Sequence, residues 1–137
     1  MSLFVDTSVF FAAAYRPDHN NEAAKGVLGA GEDLVTTDHV LVETWLLLQR
    51  RAGAHVGERF FAHVRAGAAR LEMVGLADLQ AAWSIGETFP DQGFALVDRT
   101  SFAVMERLGV SRVATFDHHF AVYRFGPGRR HAFEVIS

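Results

Sequence analysis

The sequence predicts an α/β protein, a three-layer α/β/α sandwich around a mainly parallel sheet of four to five strands. Three observations carry that class. Short apolar runs of strand length alternate along the chain with longer stretches of helical spacing. Glycine or proline punctuates several of the boundaries between them. The hydrophobic fraction is 50% of 137 residues, with 12 Phe, which is enough for one well-filled core and one domain spanning 1–137. Strands separated by helices connect through right-handed crossovers, so neighbouring strands run parallel and helices cover both faces.

The elements follow in order. Leu3-Phe4-Val5 is a short buried strand, and Thr7 and Ser8 supply cap chemistry for a helix through Val9–Tyr15, which Pro17 and Asp18 end. A second helix covers Asn20–Leu28 and closes at Gly29 and Gly31. Leu34-Val35-Thr36 is the second strand. Asp38 is placed to cap a long helix from His39 to Ala52, stopped by Gly53. Val56–Arg65 is helical, with Phe60, Phe61 and Val64 on one face. Leu71–Val74 is the third strand, Asp78–Phe89 a helix broken by Pro90, and Asp91-Gln92-Gly93 a turn. Asp98–Leu108 carries Phe102, Met105 and Leu108 at helical spacing, with Gly109 as its stop. Val113–Phe116 is the fourth strand, Phe125-Gly126-Pro127-Gly128 a turn, and Ala132–Ile136 a closing strand.

Composition excludes several classes. Cysteine is absent, so no disulfide framework or thiolate metal site exists. No apolar run reaches the length of a membrane span, and the start meets Asp6 too early for a signal peptide; the expected compartment is the cytoplasm, with no membrane partner. A net charge of −3 argues against a passive nucleic-acid coat. Lys25 is the only lysine among 13 basic residues, so the phosphate-binding capacity is almost entirely arginine.

Four acids stand out. Asp6 and Asp117 follow strands, Asp98 opens a helix, and Glu43 interrupts the apolar stretch Val40–Leu48 with no Lys or Arg three or four residues away. In a parallel α/β sheet, sites form beyond the carboxyl ends of strands where strand order reverses, and these are the positions that rule favours. Each aspartate alone reads as a helix cap. Together they form a cluster that repels itself unless a cation holds it ionised. An all-oxygen set suits Mg²⁺ or Mn²⁺, one or two ions, and such ions support phosphodiester hydrolysis. Setting the four acids aside turns the net charge from −3 to +1.

Phe4-Val5-Asp6-Thr7-Ser8, Val42-Glu43, Leu96-Val97-Asp98-Arg99-Thr100-Ser101 and Ala114-Thr115-Phe116-Asp117-His118-His119-Phe120 resemble the successive motifs of PIN-domain ribonucleases, and most closely the VapC-like toxins of type II toxin–antitoxin pairs. The acids are spaced by 37, 55 and 19 residues, and the likeness runs from residue 3 to the end. The resemblance implies a metal-dependent endoribonuclease with Asp6, Glu43, Asp98 and Asp117 as its catalytic, Mg²⁺- or Mn²⁺-binding acids. Ser8 and Thr115 would orient carboxylates or waters behind them. It implies an RNA substrate, in-line attack by a metal-activated water, a small VapB-like antitoxin and a homodimer.

Other residues are weaker. Arg99 beside Asp98, and Arg129 and Arg130 in the Gly-rich turn, are candidates for the RNA backbone. His118-His119 does not suit zinc, since no Cys or HExxH accompanies it; a surface turn is the expectation, with His118 near the acids. A receiver domain is excluded because it needs a late lysine. A haloacid-dehalogenase-type phosphatase is excluded because Asp6-Thr7-Ser8 is not Asp-x-Asp. Two alternatives stay open: a noncatalytic module whose acidic groove holds a basic peptide, and a stand-alone housekeeping nuclease.

Overall fold

The computed structural model describes residues 1–137. The elements run β1 (Ser2–Val5), α1 (Thr7–Ala14), α2 (Asn21–Leu28), β2 (Asp33–Thr37), α3 (Asp38–Ala52), α4 (Ala54–Arg65) and β3 (Arg70–Glu72). After these come α5 (Leu76–Thr88), α6 (Leu96–Leu108), β4 (Arg112–Ala114), α7 (His119–Val122), a 3-10 turn (Pro127–Arg129) and β5 (Glu134–Ile136).

The five strands form one sheet in the order β3-β2-β1-β4-β5, and every neighbouring pair is parallel. Phe4 in the central strand stands between Val35 and Val113. Phe4, Val5, Val35 and Val113 are fully buried, which is why β1 reads as an unbroken apolar run rather than an alternating one. The helices flank this sheet, and Val9, Phe10, Val40, Leu48, Phe102, Val104 and Met105 complete a single buried cluster with it.

Local chemistry sets several boundaries away from the sequence expectation. Thr37, not Asp38, caps α3: its hydroxyl accepts the Val40 N–H at 3.0 Å. The Asp38 carboxylate instead accepts the Val74 N–H at 2.8 Å and ties the segment after β3 to α3. Helices α5 and α6 each begin two residues earlier than expected, so Asp78 and Asp98 lie at the third helical position. There each carboxylate reaches back to an N–H that the first turn leaves unpaired, Gly75 at 2.9 Å and Ala95 at 3.2 Å. Strands β3, β4 and β5 are three residues each, shorter than their apolar runs. The turn at 119–122 is helical, where none was expected.

Two further contacts lock the ends of elements. Asn21 Nδ2 donates to the Ala12 and Ala13 carbonyls at 2.7 and 3.2 Å, closing α1 from the first residue of α2. Gly109 adopts φ 68° at the carboxyl end of α6, a left-handed conformation that costs a side-chain-bearing residue and suits glycine.

Candidate active site

β1 is the first strand and lies centrally, with β2 on one side and β4 on the other, so strand order reverses between β1 and β4. The carboxyl ends of those two strands deliver Asp6 and Asp117. Asp6 is the N-cap of α1 in extended backbone, and its N–H donates to the Ala114 carbonyl at 3.0 Å. Its Oδ2 accepts the Ser8 N–H at 3.4 Å, the Ser8 hydroxyl at 2.9 Å and the Thr115 hydroxyl at 2.9 Å. Each hydroxyl also accepts: Ser8 Oγ from the Phe116 N–H and Thr115 Oγ1 from the Asp117 N–H, both at 2.9 Å. Two hydroxyls thus stitch the ends of β1 and β4 together and fix the Asp6 carboxylate between them.

Asp98 arrives from the first turn of α6. Its Oδ2 lies 3.0 Å from His119 Nδ1, and the same ring nitrogen is 3.4 Å from Asp117 Oδ1. A carboxylate can only accept, so Nδ1 carries the proton. Asp117 Oδ1 also accepts the His119 N–H at 2.9 Å. The His119 ring stands edge-on to Phe94, with centroids 5.3 Å apart. The sequence expectation singled out His118; the structure leaves His118 exposed, 3.8 Å from Asp117, and turns His119 inward instead. The short helix α7 causes this, because successive helical residues point about 100° apart.

The electrostatics follow from burial. Desolvation is the largest influence on Asp6 and pushes its carboxyl up to about 6; the Ser8 and Thr115 bonds oppose it, and the negative charge of Asp98 adds to it. Desolvation also raises Asp98, with the His119 bond opposing and the Asp117 charge reinforcing. The acids therefore sense one another. No Arg or Lys lies within ion-pair distance of Asp6, Asp98, Asp117 or Glu43. Elsewhere the chain does pair its acids: Glu32 with Arg112 at 3.0 Å, Asp33 with Arg70 at 2.9 Å and Asp78 with Arg107 at 3.0 Å. The Arg112 bond lowers the Glu32 carboxyl, and the Ser2 and Arg70 bonds lower that of Asp33; at Asp78 desolvation pushes up, but the bonds from Arg107 and the Gly75 N–H outweigh it and leave the carboxyl below its ordinary value.

Glu43 is half-buried on α3 without a hydrogen-bond partner, in a hollow that it shares with His39, Arg50 and Val97, the residue before Asp98. His39, one turn earlier on the same face, has Nδ1 3.4 Å from the Thr100 hydroxyl of α6. The Glu43 face of α3 is thus turned towards α6. The basic candidates lie elsewhere. Arg99 Nη1 donates to the Ala82 carbonyl of α5 at 3.0 Å, pointing away from the acids. Arg129 stands over the Phe89 ring at 5.8 Å, in a loop clipped by the Phe125–His131 bridge, and Arg130 is exposed.

The donor set suits a hard divalent ion. Asp117, His118 and His119 bring ligand atoms within 4.8 Å of one another, and Asp98 joins them through His119, with no Arg or Lys paired to these acids. The hydroxyl pair fixes the Asp6 carboxylate, and His119 fixes that of Asp98.

The PIN domain profile matches residues 3–126. The chain is 35% identical over 125 residues to the 23S rRNA-specific endonuclease VapC20 of Mycobacterium tuberculosis, covering 90% of this chain and 95% of that protein. It is 26% identical over 131 residues to Ribonuclease VapC26 of the same species, covering 93% and 96%. The crystal structure of M. tuberculosis VapC20, described as a sarcin–ricin-loop-cleaving toxin, superposes with a TM-score of 0.82 at 32% identity, covering 88% of this chain and 93% of that one. The fold agrees with that of the VapC20 structure, and the chain belongs to the PIN-domain family, in its VapC branch.

Proposed function

We propose that this chain is a metal-dependent endoribonuclease and the toxin of a VapBC-type pair, with residues 1–137 acting as one nuclease domain in the cytoplasm. The observation that carries the reading is the grouping of Asp6, Asp98 and Asp117 near the strand-order reversal, linked to one another through their charges and His119, with no Arg or Lys partner. In this reading Asp6, Asp98, Asp117 and Glu43 hold Mg²⁺ or Mn²⁺. Bound there, a divalent ion supplies a water of lowered pKa and offsets charge on the phosphoryl group. The chain's own residues do the rest. Ser8 and Thr115 hold the Asp6 carboxylate at one orientation, and His119 holds Asp98 against Asp117. Burial at the switch point excludes bulk water from behind these acids.

VapC20 is named for 23S rRNA, which makes ribosomal RNA the first substrate to test here. Arg99, Arg129 and Arg130 are the residues assigned to the strand. The negative pocket would attract the basic tail of a VapB-like antitoxin, so peptide binding and catalysis share one surface. Exposed Val42, Leu46 and Phe61 on α3 and α4 support a homodimer, since pairing would cover them.

The test is cleavage of total RNA with Mn²⁺ or Mg²⁺, followed by mapping of new ends bearing 5′-phosphates. Asp6→Asn and Asp98→Asn should abolish these ends while leaving the fold intact. Full cleavage by both variants would overturn the reading, and peptide uptake without RNA cleavage by the wild type would favour the noncatalytic module.

A further inference from the structure

One cleft, of about 290 Å³, opens between the end of α5, the segment 89–94 and the start of α6. Its walls are Trp83, Phe89, Phe94 and Arg99, with Glu87 at the rim and Gly86 in the floor. Trp83 presents 69% of its surface to solvent, which is unusual exposure for so large an aromatic side chain. Arg99 is fixed there through the bond from Nη1 to the Ala82 carbonyl, while its Nε is buried and has no hydrogen-bond partner. Gly86 is required by this arrangement. A methyl group at that position would collide with Arg99 Nη1, so a residue that weakens a helix by about 1 kcal/mol relative to alanine leaves room for the guanidinium.

The cleft adjoins the acids across one residue, Phe94. Phe94 lines the cleft, and its ring also meets the His119 ring, which contacts Asp98 and Asp117. A strand whose phosphate lies at the acids would therefore carry an adjoining nucleotide past Phe94 and into the cleft. We propose that the cleft between α5 and α6 receives one unstacked nucleobase beside the scissile phosphodiester, guanine before the other bases. This rests on the ribonuclease reading above. Unpaired bases are bound by stacking on aromatic rings and by hydrogen bonds to their edges. Trp83 offers the stacking face. Arginine suits the paired acceptors O6 and N7 of guanine. The Glu87 carboxylate suits the N–H donors on its opposite edge. Adenine and uracil lack an adjacent pair of acceptors, and cytosine, which has one in O2 and N3, offers the carboxylate only its N4–H where guanine offers N1–H and N2–H.

Two measurements test the assignment. In the first, a pool of short single-stranded RNAs with randomised sequence is cut with Mn²⁺ and the ends are sequenced. The wild type should enrich guanine at one position flanking the cut by about tenfold, within the range that base–aromatic stacking provides. Trp83→Ala should lose that enrichment, and so should Gly86→Ala, which strengthens the helix while displacing Arg99. Leu79→Ala, on α5 outside the cleft lining, should keep it. In the second, binding is measured in EDTA by tryptophan fluorescence, with an RNA pentamer containing one guanosine and its counterpart with an abasic site there. The wild type should prefer the guanosine by about fivefold or more, and Gly86→Ala should erase the preference. Cleavage with no base enrichment, or enrichment unchanged in Trp83→Ala and Gly86→Ala, overturns the cleft assignment. So does equal binding of the two pentamers. Guanosine preference in EDTA from a protein that cuts no RNA retires the nuclease reading and supports the cleft.

Discussion

Replacing Asp6 with asparagine should make the metal-free protein more stable at neutral pH while removing its response to metal. Burial raises the Asp6 carboxyl from 3.8 to about 6. Between those values the folded chain keeps a proton that the unfolded chain has released, so stability falls as pH rises through this window. The contribution is fully present below about pH 4 and lost above about pH 6. At 1.36 kcal/mol per pH unit, the charged carboxylate costs the folded state about 3 kcal/mol at pH 7. Asparagine avoids that cost and keeps the local geometry. All three bonds to Asp6 converge on one oxygen, which the amide carbonyl can replace, and the new NH₂ group can face the negative charge of Asp98. Thermal unfolding in EDTA at pH 7 should give Asp6→Asn a Tm about 10 °C above wild type, by the entropy of unfolding for a chain of this length. The difference should close towards pH 4. Added Mn²⁺ should raise the wild-type Tm in proportion to the logarithm of its concentration and leave the variant unmoved. An Asp6→Asn protein less stable than wild type at pH 7 in EDTA would refute the argument, because the carboxylate would then be stabilised by something other than a bound cation.

Three further outcomes follow from contacts already described. His119→Ala should weaken Mn²⁺ binding about tenfold, measured by electron paramagnetic resonance, because Asp98 loses the side-chain partner that orients it. Glu43→Gln should change stability in EDTA by less than about 0.5 kcal/mol, since Glu43 has no protein partner, yet lower Mn²⁺ affinity by calorimetry; an unchanged affinity would remove Glu43 from the metal-binding set. Arg107→Met should cost about 2 kcal/mol in urea unfolding by leaving the buried Asp78 carboxylate short of its two bonds from Arg107, while Mn²⁺ affinity stays at the wild-type value.

Much of this arrangement could be read from the chain because it rests on local chemistry. Apolar runs that end in an acid mark the carboxyl ends of β1 and β4, and a parallel sheet makes those ends converge. Ser8 was legible for the same reason, two residues from the Asp6 carboxylate it bonds, and Thr115 was legible by its place two residues before Asp117, though its hydroxyl donates to Asp6 across the sheet. Residues whose roles depend on tertiary contact were not. Asp38 looked like the cap of α3, but Thr37 has the extended backbone and takes the bond, while Asp38 is drawn to Val74, a neighbour only in the folded sheet. His119 could not be chosen over His118 without α7, a four-residue helix too short to leave a periodic signal. Arg99 follows a pocket acid in sequence yet faces α5, since one helical step turns it away from Asp98.

The sheet order also bears on how the protein is made. Asp6 is made before β4, which delivers Asp117 to the same site, and β4 is itself held by β5 through the Thr115 N–H to the Ile136 carbonyl at 3.1 Å. Until β4 and β5 have been made, the carboxylates are on separate stretches of nascent chain and would have no common ion to hold. A polypeptide able to cut RNA is thereby kept inert beside the translation machinery until its late segments have docked onto its first strand.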